Sequence, residues 1–318
     1  MPQIYVIIVT YNAMKWASTC FSSLRKSSLP IQTIVVDNGS TDGTQDFIKE
    51  NFPEVDFIQS QENLGFGKAN NLAIEKAYQN GADFFYLMNQ DAWIFEDSMQ
   101  KLIDVYEKHP KKEEIGILSP MHLDGSEKLL DRHFEVYLSR NTQINRLLSN
   151  IYFEEAKPFY EIDFINAAHW MLPRKTIEDV GGFSPFYFHG GEDYDYVNRV
   201  TFQGKKILVC TKSKVVHDAV QDYHLAKPGK NALQEHRTSL RMQRETRYLN
   251  PNFDFQIKRE KKEFYSNIIK LALKGKFNES KYYLKQYHYF SKRFENIESL
   301  RKTAVSGKHP FLNLSEKI

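Results

Sequence analysis

The chain has 318 residues, a formal net charge of +3 and only two cysteines, Cys20 and Cys210. This length allows one large domain, or one domain with an added module, built on a sizeable hydrophobic core. The near-neutral charge argues against nucleic acid as a partner, and two separate cysteines indicate neither a disulfide framework nor a paired-cysteine metal site.

The chain opens with an apolar segment, IYVIIVTY at 4–11. This segment is too short to cross a bilayer, which requires roughly 20 residues. It has no basic leader and no small-residue cleavage site of the kind that marks a secretory signal. We therefore expect a cytoplasmic protein.

Up to residue 120, apolar segments of strand length alternate with amphipathic segments of helix length. Continuous apolar strands separated by helices predict an α/β fold with a mainly parallel sheet that is covered on both faces. The predicted strands are 4–11, 33–38, 55–60, 83–89 and 115–120, and the predicted helices are 14–27, 44–51, 67–80 and 96–109.

The remainder of the chain is less regular. Residues 121–162 carry few strand signals and are predicted to form a mobile loop or lid. After them we predict a strand at 161–172, helices at 173–183 and 192–204, and short strands at 205–210 and 214–219. From about 225 the sequence becomes basic, rich in tyrosine and helical in pattern.

Polar clusters follow three of the predicted strands: Thr10–Asn12, Asp37–Ser40 and Asn89–Asp91. Each cluster alone is explained by turn formation, for which Asn, Asp, Gly and Ser are suited. In a doubly wound sheet, however, ligands bind beyond the carboxyl ends of the strands. Three clusters at one edge of one sheet therefore favour a binding site.

Three further features have both a structural and a functional explanation. Asn89 and Asp91 offer the hard oxygen ligands that suit Mg²⁺ or Mn²⁺. The glycines of NLGFGKANN at 63–71 make either a simple turn or an anion site at a helix start. Glu192, Asp193 and Asp195 begin a helix, where the dipole alone favours acids, or where one of them serves as a general base.

Together these segments resemble the family 2 glycosyltransferases, especially their rhamnosyltransferase-like members. The motifs that carry the resemblance are IIVTYN, VVDNGSTDGT, NLGFGKANN, LMNQDAW, LPRKTIEDVGGFSPFYFHGGEDYDYVNRV and VVHDA, in that order between about residues 3 and 220. Several motifs agree at once, so the match is specific, although it does not extend clearly past about 250.

The resemblance implies a GT-A fold and transfer of a sugar from a nucleotide diphosphate donor, with inversion at the anomeric carbon. We expect a GT-A domain at 1–224, with a nucleotide-sugar half at 1–120 and an acceptor half at 121–224. Residues 225–318 would form a basic helical extension. The donor would be a UDP- or dTDP-sugar, with dTDP-rhamnose a candidate, and the acceptor a glycan or lipid-linked glycan of a cell-surface polysaccharide.

The resemblance also implies roles for individual residues. Asp193 would be the catalytic base, and Asp91 with His217 would hold Mn²⁺ or Mg²⁺. Asp37 would hold the uracil or thymine base of the donor. The full set expected to bind the donor is Thr10, Tyr11, Asn12, Asp37, Asn38, Gly65, Lys68, Asn70, Asn89, Gln90 and Asp91. The set expected on the acceptor side is His169, Trp170, Tyr187 and Glu192.

Some alternatives stay open at this point. Asn89 replaces the first acid of the family's D-x-D motif, which weakens the expectation of tight metal binding. A non-catalytic protein that only binds a nucleotide sugar or glycan is the main alternative function. A nucleotidyltransferase is disfavoured, because VTYNAMKW lacks the glycine-rich loop after strand one. The basic C-terminal helices suit a solvated surface, a homo-oligomer contact or peripheral contact with the inner face of the membrane.

Overall fold

The computed structural model describes residues 1–219 and 232–315, apart from the side chains of residues 141–145, 232 and 233. The chain forms two compact units. The first comprises Met1–Ala226 with Lys308–Ile318, and the second comprises Lys227–Gly307.

The first unit is built on one large sheet, which has nine strands among the described residues. Its strand order is β3-β2-β1-β4-β8-β6-β9-β5, with β7 paired to β9. The pairings among β1 to β4 are parallel, whereas β8 runs antiparallel to both of its neighbours. The strands are β1 Ile4–Thr10, β2 Ile31–Asp37, β3 Asp56–Gln59, β4 Phe84–Asn89, β5 Ala92–Ile94, β6 Ile115–Leu123, β7 Phe159–Ile162, β8 His169–Pro173 and β9 Lys206–His217.

Helices cover both faces of this sheet because its strands are apolar on both sides. Successive residues of β1 alternate between two hydrophobic clusters: Ile7 packs in one cluster with Ala73 of α3, and Ile8 packs in the other with Phe21 of α1. The helices of this unit are α1 Met14–Leu24, α2 Thr44–Asn51, α3 Phe66–Gln79, α4 Ser98–Lys108, α5 Arg132–Asn145, α6 Leu147–Tyr152, α7 Arg174–Val180 and α8 Glu192–Phe202.

The predicted α/β class and its large central sheet are confirmed, but residues 121–162 are wrongly described as a loop. They contain the end of β6, helices α5 and α6, and β7. The missed signal is a cap: the Asp131 carboxylate accepts a 2.7 Å hydrogen bond from the N–H of Phe134 in the first turn of α5. Phe134 and Leu138 then lie one turn apart and are both buried.

Two predicted strand boundaries in the second half are also wrong. The single strand expected at 161–172 is two strands, β7 and β8, joined by a connection that carries Asn166, Ala167 and Ala168. The two short strands expected at 205–210 and 214–219 are one strand, β9. Its pairing with β6 shifts register between Pro120 and Met121, which explains why the alternating pattern breaks there.

A buried ion pair fixes helix α8. Arg199 Nε donates a 2.9 Å hydrogen bond to Asp195 Oδ2, and neither side chain is more than 3% exposed. The other guanidinium nitrogens donate to the carbonyl oxygens of Val180 and Gly182, at 2.6 and 2.7 Å. These three bonds therefore hold the guanidinium within α8 and connect α8 to the end of α7 and the turn that follows.

The end of the chain returns to this same turn. An added Cβ at Gly181, whose φ is +76°, would lie 2.0 Å from the carbonyl oxygen of Pro310, so the position requires glycine. The Nδ2 atom of Asn71 donates to the carbonyl oxygens of Phe183 and Phe311, and the Phe311 ring lies 5.2 Å from the Arg199 guanidinium. Residues near 310 therefore help to complete the core of the first unit.

The second unit is helical, as the sequence predicted. Its helices are α9 Ala232–Leu249, α10 Ile257–Leu273, α11 Phe277–Ser291 and α12 Phe294–Ser306. Their buried rings form its interior, with Phe264 of α10 and Phe290 of α11 in contact at 6.0 Å between centroids. Within the described ranges, no helix of either unit is long and apolar enough to cross a membrane.

We predict that Asp195→Ala lowers the free energy of unfolding by about 3–5 kcal/mol, because it leaves Arg199 buried without its counter-charge. The matched control is Asp97→Ala, which removes an exposed partner four residues before Lys101. Exposed pairs of this type contribute only about 0.2–1 kcal/mol. Chemical denaturation of the two variants checks this difference, and equal losses would contradict it.

Candidate functional site

A cavity of about 510 Å³ opens at the carboxyl ends of β1 and β4, and the start of α8 also reaches it. The cavity lies between the earlier and later parts of the first unit, because residues 9–91 and residues 166–193 both contribute to its lining. The lining residues are Val9, Tyr11, Asn38, Asn63, Gly65, Phe66, Asn89, Gln90, Asp91, Asn166, Ala167, Ala168, Phe188, His189, Glu192 and Asp193.

The ends of β1 and β4 are held together by one side-chain amide. Gln90 Oε1 accepts a 2.7 Å hydrogen bond from the N–H of Tyr11, and Gln90 Nε2 donates to the carbonyl oxygen of Tyr11 at 3.2 Å. These two bonds tie the strand ends together at Gln90. The Tyr11 side chain, about half exposed, remains available to a ligand.

Asp37 lies beneath the cavity, outside its lining, and has no exposed surface. Its carboxylate accepts hydrogen bonds from the Thr10 hydroxyl, the Ser40 N–H and hydroxyl, the Gly39 N–H and the Gln45 amide, all between 2.6 and 3.1 Å. A donor base could bond to Asp37 only by displacing one of these donors. The carboxylate therefore organises the turn after β2.

The next residue, Asn38, does reach the cavity. Its Oδ1 accepts from the N–H of Leu64 at 3.3 Å, and its Nδ2 donates to the carbonyl oxygen of Gly65 at 3.4 Å. Gly65 has a φ of +80°, and a Cβ there would lie 2.3 Å from the carbonyl oxygen of Phe188. The glycine is therefore needed for close approach of the 63–66 segment to the loop before α8.

Two carboxyl groups at the start of α8, those of Glu192 and Asp193, also line the cavity. Burial, together with the charge of neighbouring Glu192, raises the pKa of Asp193 to about 7, although the N–H of Ala167 and the charge of His217 oppose the shift. Burial also raises the pKa of Glu192, and its Oε2 has no hydrogen-bond partner in the described part of the chain. An acid with a pKa near 7 is suited to act as a general base.

Asp91 and His217 meet at the edge of the cavity. Strand β5, which the sequence did not predict, pairs with β9 and places His217 opposite Ala92, next to Asp91. Nε2 of His217 lies 3.7 Å from Asp91 Oδ1 and 3.4 Å from Asn89 Nδ2. Within the described residues, no group of three acidic, histidine or cysteine side chains could hold a metal ion.

The geometry of this pair is compatible with one shared divalent ion. Two atoms that each coordinate an ion at about 2.1 Å lie roughly 3–4 Å apart, depending on their angle. Asp91 and His217 fit this range, and such a two-ligand site is usually completed by water and substrate phosphate.

Asp131 supports His217 from behind. Its Oδ2 lies 3.4 Å from Nδ1 of His217, and the carboxylate is almost fully buried. A proton on Nδ1 would point towards this carboxylate, and Nε2 would then present its lone pair towards Asn89 and Asp91. Burial lowers the pKa of His217, but the hydrogen bond to Asp131 and the charges of Asp91 and Asp131 raise it by more.

Several residues expected at the site do not line the cavity. Thr10 and Asn70 are buried, Asn70 bonding the carbonyl oxygen of Phe66, whereas Asn12 and Lys68 are exposed elsewhere. His169 and Trp170 are fully buried in the core, where His169 bonds the Tyr86 hydroxyl and Trp170 packs on Phe183. Tyr187 is also buried, and its neighbour Phe188 supplies the exposed ring of the lining.

Other lining residues carried no recognisable sequence signal. Asn166, Ala167 and Ala168 lie in the connection between β7 and β8, where the sequence predicted continuous strand. The carbonyl oxygen of Ala168 accepts a hydrogen bond from the Asn89 N–H at 3.0 Å. Asp131 lay in the segment predicted to be a loop, and only its helix-capping pattern could have identified it.

Comparison with known proteins identifies relatives over most of the first unit. The family model "Glycosyl transferase family 2" matches residues 5–179. The chain is 25% identical over 232 residues to N-acetylglucosaminyl-diphospho-decaprenol L-rhamnosyltransferase of Mycobacterium tuberculosis, covering 67% of this chain and 75% of that protein. It is 24% identical over 215 residues to dTDP-rhamnosyl transferase RfbF of Shigella flexneri, covering 67% and 68%.

A solved structure shares the fold. The mannosyltransferase PcManGT from Pyrobaculum calidifontis, in complex with GDP-Man and Mn²⁺, superposes with a TM-score of 0.52 at 17% identity. The match covers 78% of this chain and 61% of that one, so this chain spans less than two thirds of that neighbour. The predicted GT-A fold is confirmed, and the resemblance seen in the motifs is confirmed by the family match.

We predict that Asp131→Asn changes the tautomer of His217. The oxygen of the introduced amide would keep the hydrogen bond from the Phe134 N–H, and its NH₂ group would face Nδ1 of His217, so the ring proton moves to Nε2. Long-range ¹H–¹⁵N spectra of histidine-labelled protein measure this change directly. His169, whose two ring nitrogens bond Tyr86 and Val216, is the internal control, and an unchanged His217 tautomer would contradict the assignment.

Proposed function

Because the chain belongs to glycosyl transferase family 2, we propose that it transfers a sugar from a nucleotide diphosphate donor to a hydroxyl group of a glycan or lipid-linked glycan acceptor. The names of its relatives favour L-rhamnose as the sugar and dTDP as the carrier. A UDP-sugar remains the alternative donor. The reaction would serve the synthesis of a cell-surface polysaccharide.

The observation that carries this proposal is the placement of Asp193. Its carboxyl group lines the same cavity as Asp91 and is held by the first turn of a helix fixed through Arg199. A pKa of about 7 lets the group accept a proton near neutral pH. A protein that only binds nucleotide sugars has no need of a carboxyl group with this pKa at this place.

The proposed reaction is a single in-line displacement. Asp193 takes the proton of the acceptor hydroxyl as its oxygen forms a bond to the anomeric carbon. The bond from that carbon to the diphosphate oxygen breaks, and its electron pair leaves with the nucleoside diphosphate. Attack from the side opposite the leaving group inverts the anomeric carbon, and the transition state has oxocarbenium character.

The leaving diphosphate requires a positive partner, and few cations are available to it. Among the described residues at the cavity, His189 in the lining and the nearby His217 are the only basic side chains. We propose that Asp91 and His217 hold a Mn²⁺ or Mg²⁺ ion there. When bound, this ion would neutralise the charge that develops on the leaving group.

The donor base would contact the wall formed by Tyr11 and Asn38. The Asn38 amide already bonds Leu64 and Gly65, so it would shape this wall, and the half-exposed Tyr11 ring would contact the base. We propose Asp37 as the support of this wall, since its hydrogen bonds hold the turn that carries Asn38. Thermal-shift measurements with UDP-, dTDP- and GDP-sugars, with and without Mn²⁺, would identify the donor.

We predict that Asp193→Asn reduces sugar transfer by about 10²–10⁴-fold, because the amide cannot accept the proton. Donor affinity should remain nearly unchanged, since the base faces the acceptor. Transfer is measured as nucleoside diphosphate released in the presence of acceptor, and affinity by calorimetry. Substantial activity in this variant would show that the base is another residue, and absence of release by the unmodified protein with every donor would favour the non-catalytic alternative.

We also predict a pH profile set by Asp193. The base is active when deprotonated, so activity should fall with unit slope as pH decreases through about 7. Glu192 and His217 are the charged groups that act on Asp193, and Glu192 raises its pKa. Glu192→Gln should therefore shift the profile to lower pH, measured at saturating donor. A profile that does not move would contradict the electrostatic coupling.

A further inference from the structure

The turn between α10 and α11 presents a surface that the packing of the second unit does not use. We call it the hairpin surface, and it combines exposed apolar side chains with exposed lysines. The apolar members are Ile269, Leu273, Phe277 and Leu284, and the lysines near the turn are Lys270, Lys274, Lys276, Lys281 and Lys285.

The apolar residues form a continuous row. Ile269 and Leu273 are four residues apart on α10 and therefore lie on one face of the helix. Leu273 and Phe277 then flank the three-residue turn and are 84% and 70% exposed. Gly275 in this turn has a φ of +71°, which allows the tight reversal. Two large apolar side chains are thus held at the tip of a hairpin.

These exposed groups are additional to the residues that stabilise the unit. The same two helices bury Phe264 and Phe290, and the Tyr265 hydroxyl donates a 2.8 Å hydrogen bond to the Tyr287 hydroxyl across the pair. Ser280 Oγ further donates to the carbonyl oxygen of Ile268 at 2.9 Å. The hairpin is therefore held by its own contacts, and the apolar row is not required for its stability.

The hairpin is more basic than the chain as a whole. Residues 257–291 contain nine lysines and arginines but only three acidic residues, whereas the formal net charge of all 318 residues is +3. Within the described parts of the chain, none of the five lysines of the hairpin surface forms a salt bridge. A concentrated positive field therefore surrounds the apolar tip.

We propose that the hairpin surface docks on an anionic lipid bilayer. Leu273 and Phe277 would enter the headgroup region, and the lysines around them would lie at the level of the lipid phosphates. Lysine is depleted from the centres of protein–protein interfaces, whereas its long stem allows the charge to stay at a bilayer surface while the methylenes are buried. The mixture of groups therefore favours lipid over a protein partner.

The biological purpose of this docking rests on the proposed function: it would bring the enzyme to a surface where lipid-linked acceptors reside. Docking itself requires neither donor nor catalysis. A binding experiment therefore tests the hairpin surface independently, and transfer to a water-soluble acceptor tests the catalytic proposal independently.

The experiment is co-sedimentation of the full chain with vesicles of phosphatidylcholine, alone or mixed with phosphatidylglycerol. We expect binding to the anionic vesicles that weakens as salt increases. Leu273→Ser combined with Phe277→Ser should reduce partitioning at least about 10-fold, and Lys274→Ser combined with Lys276→Ser about 10- to 30-fold. The control for the apolar change is Leu129→Ser, and the control for the charge change combines Lys26→Ser with Lys108→Ser. Both controls should bind as the unmodified protein does.

Circular dichroism and transfer to a soluble acceptor should be unchanged in the hairpin variants, since these residues are exposed. Equal binding of the hairpin variants and the controls would overturn the proposal, as would failure of the unmodified chain to bind anionic vesicles. Light scattering provides a further check. A self-association that the hairpin substitutions abolish, without lipid binding, would assign the surface to a second copy of this chain and would also overturn the proposal.

Discussion

The buried Asp195–Arg199 pair is the interaction on which the arrangement of the site depends. With the two backbone bonds of Arg199 to Val180 and Gly182, it holds α8 against the end of α7 and the turn that follows. Because Glu192 and Asp193 occupy the first turn of the same helix, their position is fixed with it. The segment near Phe311 packs over the guanidinium, which places part of the support for the site close to the chain's last described residues.

The cavity combines a carboxyl group of raised pKa with a polar pair of an acid and a histidine. Asp193 is held in a partly desolvated position that raises its pKa, which costs stability progressively as pH rises from 3.8 to about 7 but supplies a base. At the edge of the cavity, Asp91 and His217 form a polar pair supported by the buried Asp131. Much of the surrounding polar network, including Asp37 and Gln90, is engaged in hydrogen bonds within the protein. These residues hold strand ends in place so that a smaller set can contact ligands.

Most of the fold could be predicted from the sequence where local pattern and tertiary structure agree. The apolar strands up to residue 120 and the basic helices after 225 were predicted because their periodicities are strong. The second half of the sheet was harder, because β7, β8 and β9 pair across long separations and their lengths depend on register. For the site, the motifs pointed to the strand ends and the start of α8, where the structure has a cavity, but local patterns could not distinguish lining residues from those beneath them.

The sequence by itself determined the family, the α/β class and the residue types available for chemistry, since these follow from motifs and periodicity that are local to short segments. Only the tertiary structure decided which of those residues face the cavity. Asp37 and Asn38 are adjacent, yet the first is enclosed by five hydrogen bonds and the second lies in the lining. His217 is brought beside Asp91 by the pairing of β5 with β9, across more than a hundred residues. Such proximity is created by strand register and helix packing, which no local pattern specifies.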